Sequence, residues 1–154
     1  MKAAPTLDGR LRIDIESETD LMVLRSAPLD ARFGSDSLID DLSSRMHTDL
    51  AEDWHEFVLP DLREQFDSQL QNVIESLAKA HINEPFFITG EQANAWYGTL
   101  NQARLALENR YQLSQKSNIS KLPGESQSAA VRSQFYMTLQ SLILEFLIDV
   151  DPPA

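Results

Sequence analysis

A glutamate and a histidine stand three positions apart, at Glu52 and His55. Carboxylate-bridged di-iron bundles use this spacing, because residues i and i+3 project from one helix face toward a shared metal. That site needs a second such pair, yet neither His47 nor His81 follows a glutamate by three positions. The acidic cluster at 36–41 lacks the alternating order and the glycine of a calcium loop. We therefore expect no metal site and no cofactor.

The usual signatures of nucleophilic and nucleotide chemistry are missing from the sequence. The chain has no cysteine, which excludes thiol nucleophiles, disulfides and thiolate zinc sites. It contains neither the glycine-rich phosphate loop nor the G-x-S-x-G elbow of hydrolases. No serine, histidine and aspartate suggest themselves as a triad. We therefore name no catalytic residue, and the sequence leans against an enzyme.

A polar stripe follows the apolar stripe of one predicted helix. Polar side chains recur every three or four residues from Tyr97 to Tyr111, and two more lie four apart near the carboxyl end. If the stripe is exposed, Arg104 and Glu108 can form a weak i, i+4 ion pair. If it is half-buried, each polar group needs a partner, since an unsatisfied one costs about 1–3 kcal/mol. The candidate binding residues are Tyr97, Asn101, Arg104, Glu108, Tyr136 and Gln140.

Two interpretations of these six residues stay open. They could form an internal polar network that sets the register of two helices, with Tyr136 and Gln140 as partners of the stripe. They could instead line a polar pocket or docking groove around Arg104. The first interpretation is favoured, and the burial of Arg104 and its neighbours decides between them.

The first half of the chain predicts a short β element followed by helices. Alternation over residues 10–15 predicts a half-buried strand, with Thr6-Leu7 pairing back across Asp8-Gly9. A short helix is expected over 18–26, stopped by Pro28, with a loop over 27–36. Asp36 is expected to cap the next helix and Thr48 the one after it.

The second half predicts three long amphipathic helices. Pro60 should break the preceding helix and open one over 60–81. The segment 83–85 is expected to be a connector, and Thr89 with Gln92 to form a capping box for a helix reaching about Tyr111. A loop over 113–126 and a last helix over 127–149 complete the chain.

These elements predict a mainly α fold, an antiparallel helical bundle with a small N-terminal β-hairpin or strand. Short connections between long amphipathic helices favour antiparallel neighbours. One domain over 1–154 is expected, with the β element at 1–16, helices over 18–149 and a tail at 150–154. A chain of 154 residues matches the usual length of one domain.

The charge is strongly negative and unevenly placed. The chain has 24 acidic and 13 basic residues, a net charge of −11. Residues 36–67 contain ten acidic residues and two arginines. Such a surface repels nucleic acid and can steer a basic protein partner, although a solvated face that aids solubility is the simpler interpretation. No membrane span or signal peptide is visible, so we expect a cytoplasmic protein.

Two segments resemble a known bacterial family. They are the run from Ala95 to Leu107 and the run from Phe135 to Leu139. The family is the uncharacterised domain of unknown function two-thousand-and-seventeen, with a W-x-x-x-L-N-x-x-R-L-x-L segment and a later Y-x-x-L segment. The matching residues here are Trp96, Leu100, Asn101, Arg104, Leu105, Leu107, Tyr136 and Leu139.

The resemblance implies little mechanism, since the family has no agreed activity. Its members are often encoded beside the adaptor of the Clp protease, which hints at proteolysis or stress regulation. It also implies a shared task for Asn101 and Arg104. Any thiol role of cysteine-bearing members cannot transfer to this chain, which has no cysteine.

We therefore expect a non-enzymatic interaction or regulatory protein that acts through its acidic helices. The expected partner is an unidentified, basic protein. One alternative is a small-ligand-binding protein or enzyme that uses a polar pocket around Arg104. Another is a homodimer, with Trp54 and Phe57 or the 139–147 stripe as its interface.

Overall fold

Five α-helices and a three-stranded antiparallel sheet make up the part of the chain that the structure describes, confirming the predicted class. The computed structural model describes residues 1–115 and 122–148, without the side chains of 35–39 and 41. Within those ranges no helix has the length and apolar character needed to cross a bilayer. The elements are β1 (Lys2–Pro5), β2 (Leu11–Asp14), α1 (Glu18–Ser44), α2 (Thr48–Asp53), α3 (Leu59–Leu77), β3 (Pro85–Ile88), α4 (Ala93–Tyr111) and α5 (Gly124–Phe146).

The sheet has a strand that the sequence did not predict. Its order is β1-β2-β3, with Leu11 opposite Ile88 and Ile13 opposite Phe86. β3 begins at Pro85, the last residue of the segment expected to be a connector. The sequence did not reveal this strand because its hydrogen-bonding partners lie on β2, about 70 positions earlier. The predicted hairpin across Asp8-Gly9 is present: β1 pairs with β2, and the Thr6 amide, just after β1, donates to the Arg10 carbonyl at 2.8 Å. The Thr6 hydroxyl also accepts from the Arg10 amide at 3.0 Å.

One long helix replaces the predicted helix, loop and helix over 18–44. Pro28 lies inside α1, although proline removes an amide donor and crowds the preceding turn. The helix continues because its inner face is buried, with Leu24, Ala27 and Ala31 all at most 3% exposed. The expected loop at 27–36 is therefore wrong, as is Asp36 as a helix start. The side chain of residue 36 lies outside the described part.

The helix that follows is joined to α3 without a break. His47, rather than the expected Thr48, caps α2, since its Nδ1 accepts from the Asp49 amide at 3.4 Å. A π-helical turn over Trp54–Val58 then leads into α3. Pro60 sits in the first turn of α3, as expected, directly after the π-turn. The π-turn takes the place of the predicted break.

Helix α4 lies at the centre of the fold and packs against α1, α3 and α5. Its predicted capping box is confirmed, with Thr89 accepting from the Gln92 amide and the Gln92 side chain from the Thr89 amide. Trp96 is fully buried, donates to Ser76 Oγ at 3.2 Å, and meets Phe86 edge-on at 5.8 Å. The predicted core stripe of α4 is buried throughout: Ala93, Trp96, Leu100, Ala103 and Leu107.

Two boundaries at the carboxyl end differ from the prediction. Helix α5 begins at Gly124, three residues early, and ends at Phe146. Part of the expected 113–126 loop, residues 116–121, lies outside the described residues, and so does the tail from residue 149. Residues Leu113–Gln115 form a short 3-10 turn rather than open loop.

Glycine permits the close approach of α1 and α4. A Cβ placed on Gly34 would lie 2.3 Å from Ala106 Cβ, far inside ordinary van der Waals contact. This crossing fixes how α1 runs across α4, and therefore which α1 side chains can reach α5.

Candidate functional site

The predicted polar stripe meets α5 through a hydrogen-bonded pair. Arg104 Nη1 donates to Gln140 Oε1 at 2.6 Å, and Gln140 Nε2 lies 3.4 Å from the Tyr97 carbonyl oxygen. Gln140 is 4% exposed, whereas Arg104 is half-buried. Three of the six candidate residues thus form one network between α4 and α5. The guanidinium of Arg104 does not stand free in solvent.

Glu108 has a different partner from the one considered above. It does not pair with Arg104; its carboxylate accepts from the Ser114 amide at 3.1 Å and from the Ser114 hydroxyl. Between them the chain turns at Gln112, whose φ is 51°, in the left-handed region. Glu108 therefore fastens the turn that ends α4 and takes no part in the seam with α5.

Asn101 is half-buried on α4, and its side chain makes no hydrogen bond to the side chains of the other five candidate residues. Its shared task with Arg104, implied by the family resemblance, therefore does not involve a common hydrogen-bonding partner among them. The binding role of all six residues stays a prediction.

Tyr136 belongs to a second network, which the sequence did not predict. Its hydroxyl donates to Asp30 Oδ2 at 2.7 Å and meets Ser26 Oγ, both on α1. Arg132, one turn earlier on α5, donates from Nε to the same Asp30 oxygen at 3.0 Å and from Nη2 to the other at 3.4 Å. Four side chains thus join α1 to α5 by ionic and neutral hydrogen bonds.

A sequence signal for this second network did exist. Ser26 and Asp30 are four residues apart, as are Arg132 and Tyr136, so each pair lies on one helix face. Placing 27–36 in a loop concealed the first pair. Once α1 is one helix, the two pairs become facing rows.

Burial governs the ionisation of this network. Removal from water raises the pKa of Tyr136 far above its ordinary value; the hydrogen bond with the Ser26 hydroxyl lowers the pKa, and the Asp30 carboxylate raises it again. Burial alone would lower the pKa of Arg132, but Asp30 bonds it and raises the pKa overall. The phenol is therefore a neutral donor and the guanidinium a fixed cation, which suits a structural clamp better than proton transfer.

Two open cavities adjoin this clamp. One, of about 220 Å³, lies between α1, the end of α4 and α5, and Arg110, Tyr111 and Arg132 are among its walls. The other, of about 740 Å³, runs between α1 and α5 and is mainly apolar. Asp30 and Arg132 border both. Arg104, the centre of the pocket considered from the sequence, lines neither.

The acidic segment 36–67, hereafter the acidic arm, contributes little to the core. None of its described side chains is buried, and Phe57 is 63% and Leu50 57% exposed. The Trp54 indole donates to Ser43 Oγ at 2.8 Å, which ties α2 to the end of α1. The arm thus combines exposed apolar side chains with a net charge of −8, since it has ten acids and two arginines.

The carboxylate and imidazole at Glu52 and His55 do not assemble into a larger cluster. Both are exposed, on α2 and on the π-turn. Within the described part of the chain, no three histidine, aspartate or glutamate side chains come close enough to share a metal ion.

The comparisons with known proteins identify a family and no activity. The family model described as Domain of unknown function (DUF2017) matches residues 8–148, which is nearly the whole chain. No curated protein and no solved structure matches the chain significantly. The match covers both helices of the Arg104 seam and both helices of the Asp30 clamp, together with the acidic arm. The chain therefore belongs to the DUF2017 family.

Proposed function

We propose that this protein is a non-enzymatic interaction protein that binds a basic segment of a partner protein through its acidic arm. The observation that carries the proposal is the arm itself, where excess negative charge and the exposed Leu50 and Phe57 occur in a segment none of whose described side chains is buried. A cytoplasmic location, expected from the sequence, is part of the same proposal.

Charge and apolar exposure do different work in such a surface. A net −8 over 32 residues attracts basic partners and speeds their encounter, while phosphate backbones are repelled. Apolar side chains such as Phe57, once covered, supply most of the affinity, because buried aromatic anchors dominate interface energies. Exposed apolar side chains of this kind do not stabilise the folded chain unless a partner covers them.

The seam at Arg104 supports a structural role over a pocket for substrate. Its guanidinium donates to Gln140 Oε1, and the Gln140 amide nitrogen donates to the Tyr97 carbonyl, so this arginine is tied into the packing of α4 against α5. Arg104 lines neither of the cavities beside the Asp30–Arg132 clamp. We therefore prefer the interaction protein to the ligand-binding alternative around Arg104.

The test compares two variants that lose the same charge in different places. The arm variant carries Glu52→Gln, Asp53→Asn, Glu56→Gln and Glu64→Gln. The control carries Glu75→Gln, Glu84→Gln, Glu125→Gln and Glu145→Gln. All eight residues are exposed, so both variants should fold. Each immobilised protein is exposed to cell lysate at low and at high salt, about 0.05 M and 0.5 M.

The proposal requires that the wild type and the control capture the same lysate proteins at low salt. The arm variant should fail to capture these proteins, and high salt should release them from the wild type and the control. A Phe57→Ser variant should weaken the same capture. Equal capture by the arm variant and the control would refute the acidic arm as the binding surface. Sedimentation of the wild type at two concentrations tests the homodimer alternative, since self-association through Phe57 would make the sedimentation coefficient rise with concentration.

A further inference from the structure

Two cavities adjoin the Asp30–Arg132 clamp and share part of their lining, and we refer to the pair as the amphipathic cleft. The larger, apolar lobe lies between α1 and α5, and the smaller lobe lies at the carboxyl end of α4. Asp30, Phe33 and Arg132 border both lobes, so the lobes are adjacent. Binding sites for small molecules are concave and mainly apolar, with a few converging polar groups, which describes this cleft.

The apolar lobe is lined by side chains that a soluble helix pair does not ordinarily expose. Met22, Leu29 and Phe33 on α1 are 70%, 56% and 78% exposed, and Val131 on α5 is 55% exposed. All four line the same groove of about 740 Å³. A contiguous exposed apolar patch marks an interaction site more often than a chance surface.

The smaller lobe carries positive charge in a strongly acidic protein. Arg110 and Arg132 line it, and Asp30 is the one acid in its described lining. The Asp30 carboxylate already accepts from Arg132 twice and from Tyr136. Asp30 and Arg132 cancel each other's charge, so Arg110 leaves the lobe with an excess of one positive charge. The carboxyl end of α4 contributes about half a negative charge, which does not cancel that excess.

Both guanidiniums have donors to offer. Arg132 makes three hydrogen bonds, two to Asp30 and one from Nη1 to Ser128 Oγ at 2.6 Å, out of five N–H groups. Arg110 is exposed, and its guanidinium carbon lies 5.2 Å from the centre of the Tyr111 ring. Unused N–H donors on two arginines suit a carboxylate, which accepts two hydrogen bonds from one guanidinium.

We propose that this cleft binds a single-chain amphiphile with a carboxylate head, such as a medium-chain fatty acid. The head lies at Arg110 and Arg132, and the chain lies along Leu29 and Val131 between α1 and α5. The net charge of −11 repels anionic amphiphiles in general, so a carboxylate head needs a local excess of positive charge such as Arg110 and Arg132 supply. The inference involves no residue of the acidic arm and stands or falls separately from the proposed function.

The test titrates three probes into the full-length protein, with decanoate kept below its micelle-forming concentration and 1-decanol below its solubility. Decanoate has both head and chain, 1-decanol has the chain without the charge, and acetate has the charge without the chain. Isothermal titration calorimetry gives affinity and stoichiometry, and amide chemical shifts locate the site. Decanoate should saturate at one molecule per chain and shift amides of α1 and α5 around the groove, with the other two probes binding at least about tenfold more weakly.

Two exposed substitutions and a control separate the cleft from nonspecific uptake. Arg110→Gln should weaken decanoate binding about tenfold, and Val131→Gln should also weaken it. Lys79→Gln removes the same charge from an exposed position outside the cleft and should leave the affinity unchanged. Decanol binding as tightly as decanoate, unchanged affinity in Arg110→Gln, or shifts spread away from the groove would each overturn the proposal.

Discussion

Replacing Arg104 with leucine should destabilise the fold more than the same replacement at Arg110. Arg104 donates to Gln140 Oε1 at 2.6 Å, and Gln140 is 4% exposed. Leucine removes the donor and leaves that acceptor without water or a partner. A buried polar group left unsatisfied costs about 1–3 kcal/mol. Arg110 is exposed and lies over the Tyr111 ring, a contact worth about 0.5–1 kcal/mol.

The expected difference is large enough to measure by thermal unfolding. For a chain of this size, 1 kcal/mol shifts the melting temperature by about 2–4 °C. Arg104→Leu should therefore melt roughly 2–12 °C below wild type, and Arg110→Leu about 1–4 °C below it. Urea unfolding at constant m-value provides the free energies directly.

A double-mutant cycle isolates the contact itself. Gln140→Leu removes the acceptor, so adding Arg104→Leu to it should cost less than Arg104→Leu costs alone. The coupling free energy between neighbours in one network is typically about 0.5–3 kcal/mol. Equal melting temperatures for the two arginine variants, or a coupling energy of zero, would refute the claim that the Arg104–Gln140 bond stabilises the α4–α5 seam.

Three further substitutions test other parts of the packing. Gly34→Ala places a Cβ 2.3 Å from Ala106 Cβ. The resulting strain of about 1–3 kcal/mol should exceed the roughly 1 kcal/mol by which alanine stabilises a helix relative to glycine. Urea unfolding should therefore show a less stable protein. Thr99→Val removes a buried hydroxyl without a hydrogen-bonding partner in the described structure and should leave the melting temperature equal or higher. The pKa of Tyr136 is raised above its ordinary 10 in the folded protein, so as pH rises the unfolded chain loses this proton first. Above pH 10 the wild type should therefore lose stability relative to Tyr136→Phe, by up to about 1.4 kcal/mol per pH unit.

Each of these predictions has its own control and its own contrary result. Gly124→Ala adds a methyl group in open space and should be tolerated; equal stability of the two glycine variants would exclude the tight α1–α4 crossing. A clear loss of stability in Thr99→Val would indicate that its hydroxyl has a partner. A constant difference between wild type and Tyr136→Phe from about pH 8 to pH 11 would contradict the raised pKa, since the other tyrosines are common to both proteins.

Local signals were sufficient wherever one stretch of chain decides its own structure. The Thr89 capping box, the entry of α3 at Pro60 and the buried face of α4 all depend on residues a few positions apart. Local sequence signals failed where packing against a distant element decides the structure. Pro28 should end a helix in isolation, yet the packing of Ala27 and Ala31 keeps α1 continuous through it.

The amino-acid sequence by itself determined a mainly helical chain, its acidic segment, the polar stripe on α4 and the resemblance to its family. These depend on composition, periodicity and short-range hydrogen bonds. Only the tertiary structure decided that β3 joins the sheet, that Tyr136 reaches Asp30 on α1 rather than α4, and that a cleft opens beside Arg132. Each of these requires two helices or strands far apart in sequence to be placed side by side, and spacing along one helix does not specify its neighbour.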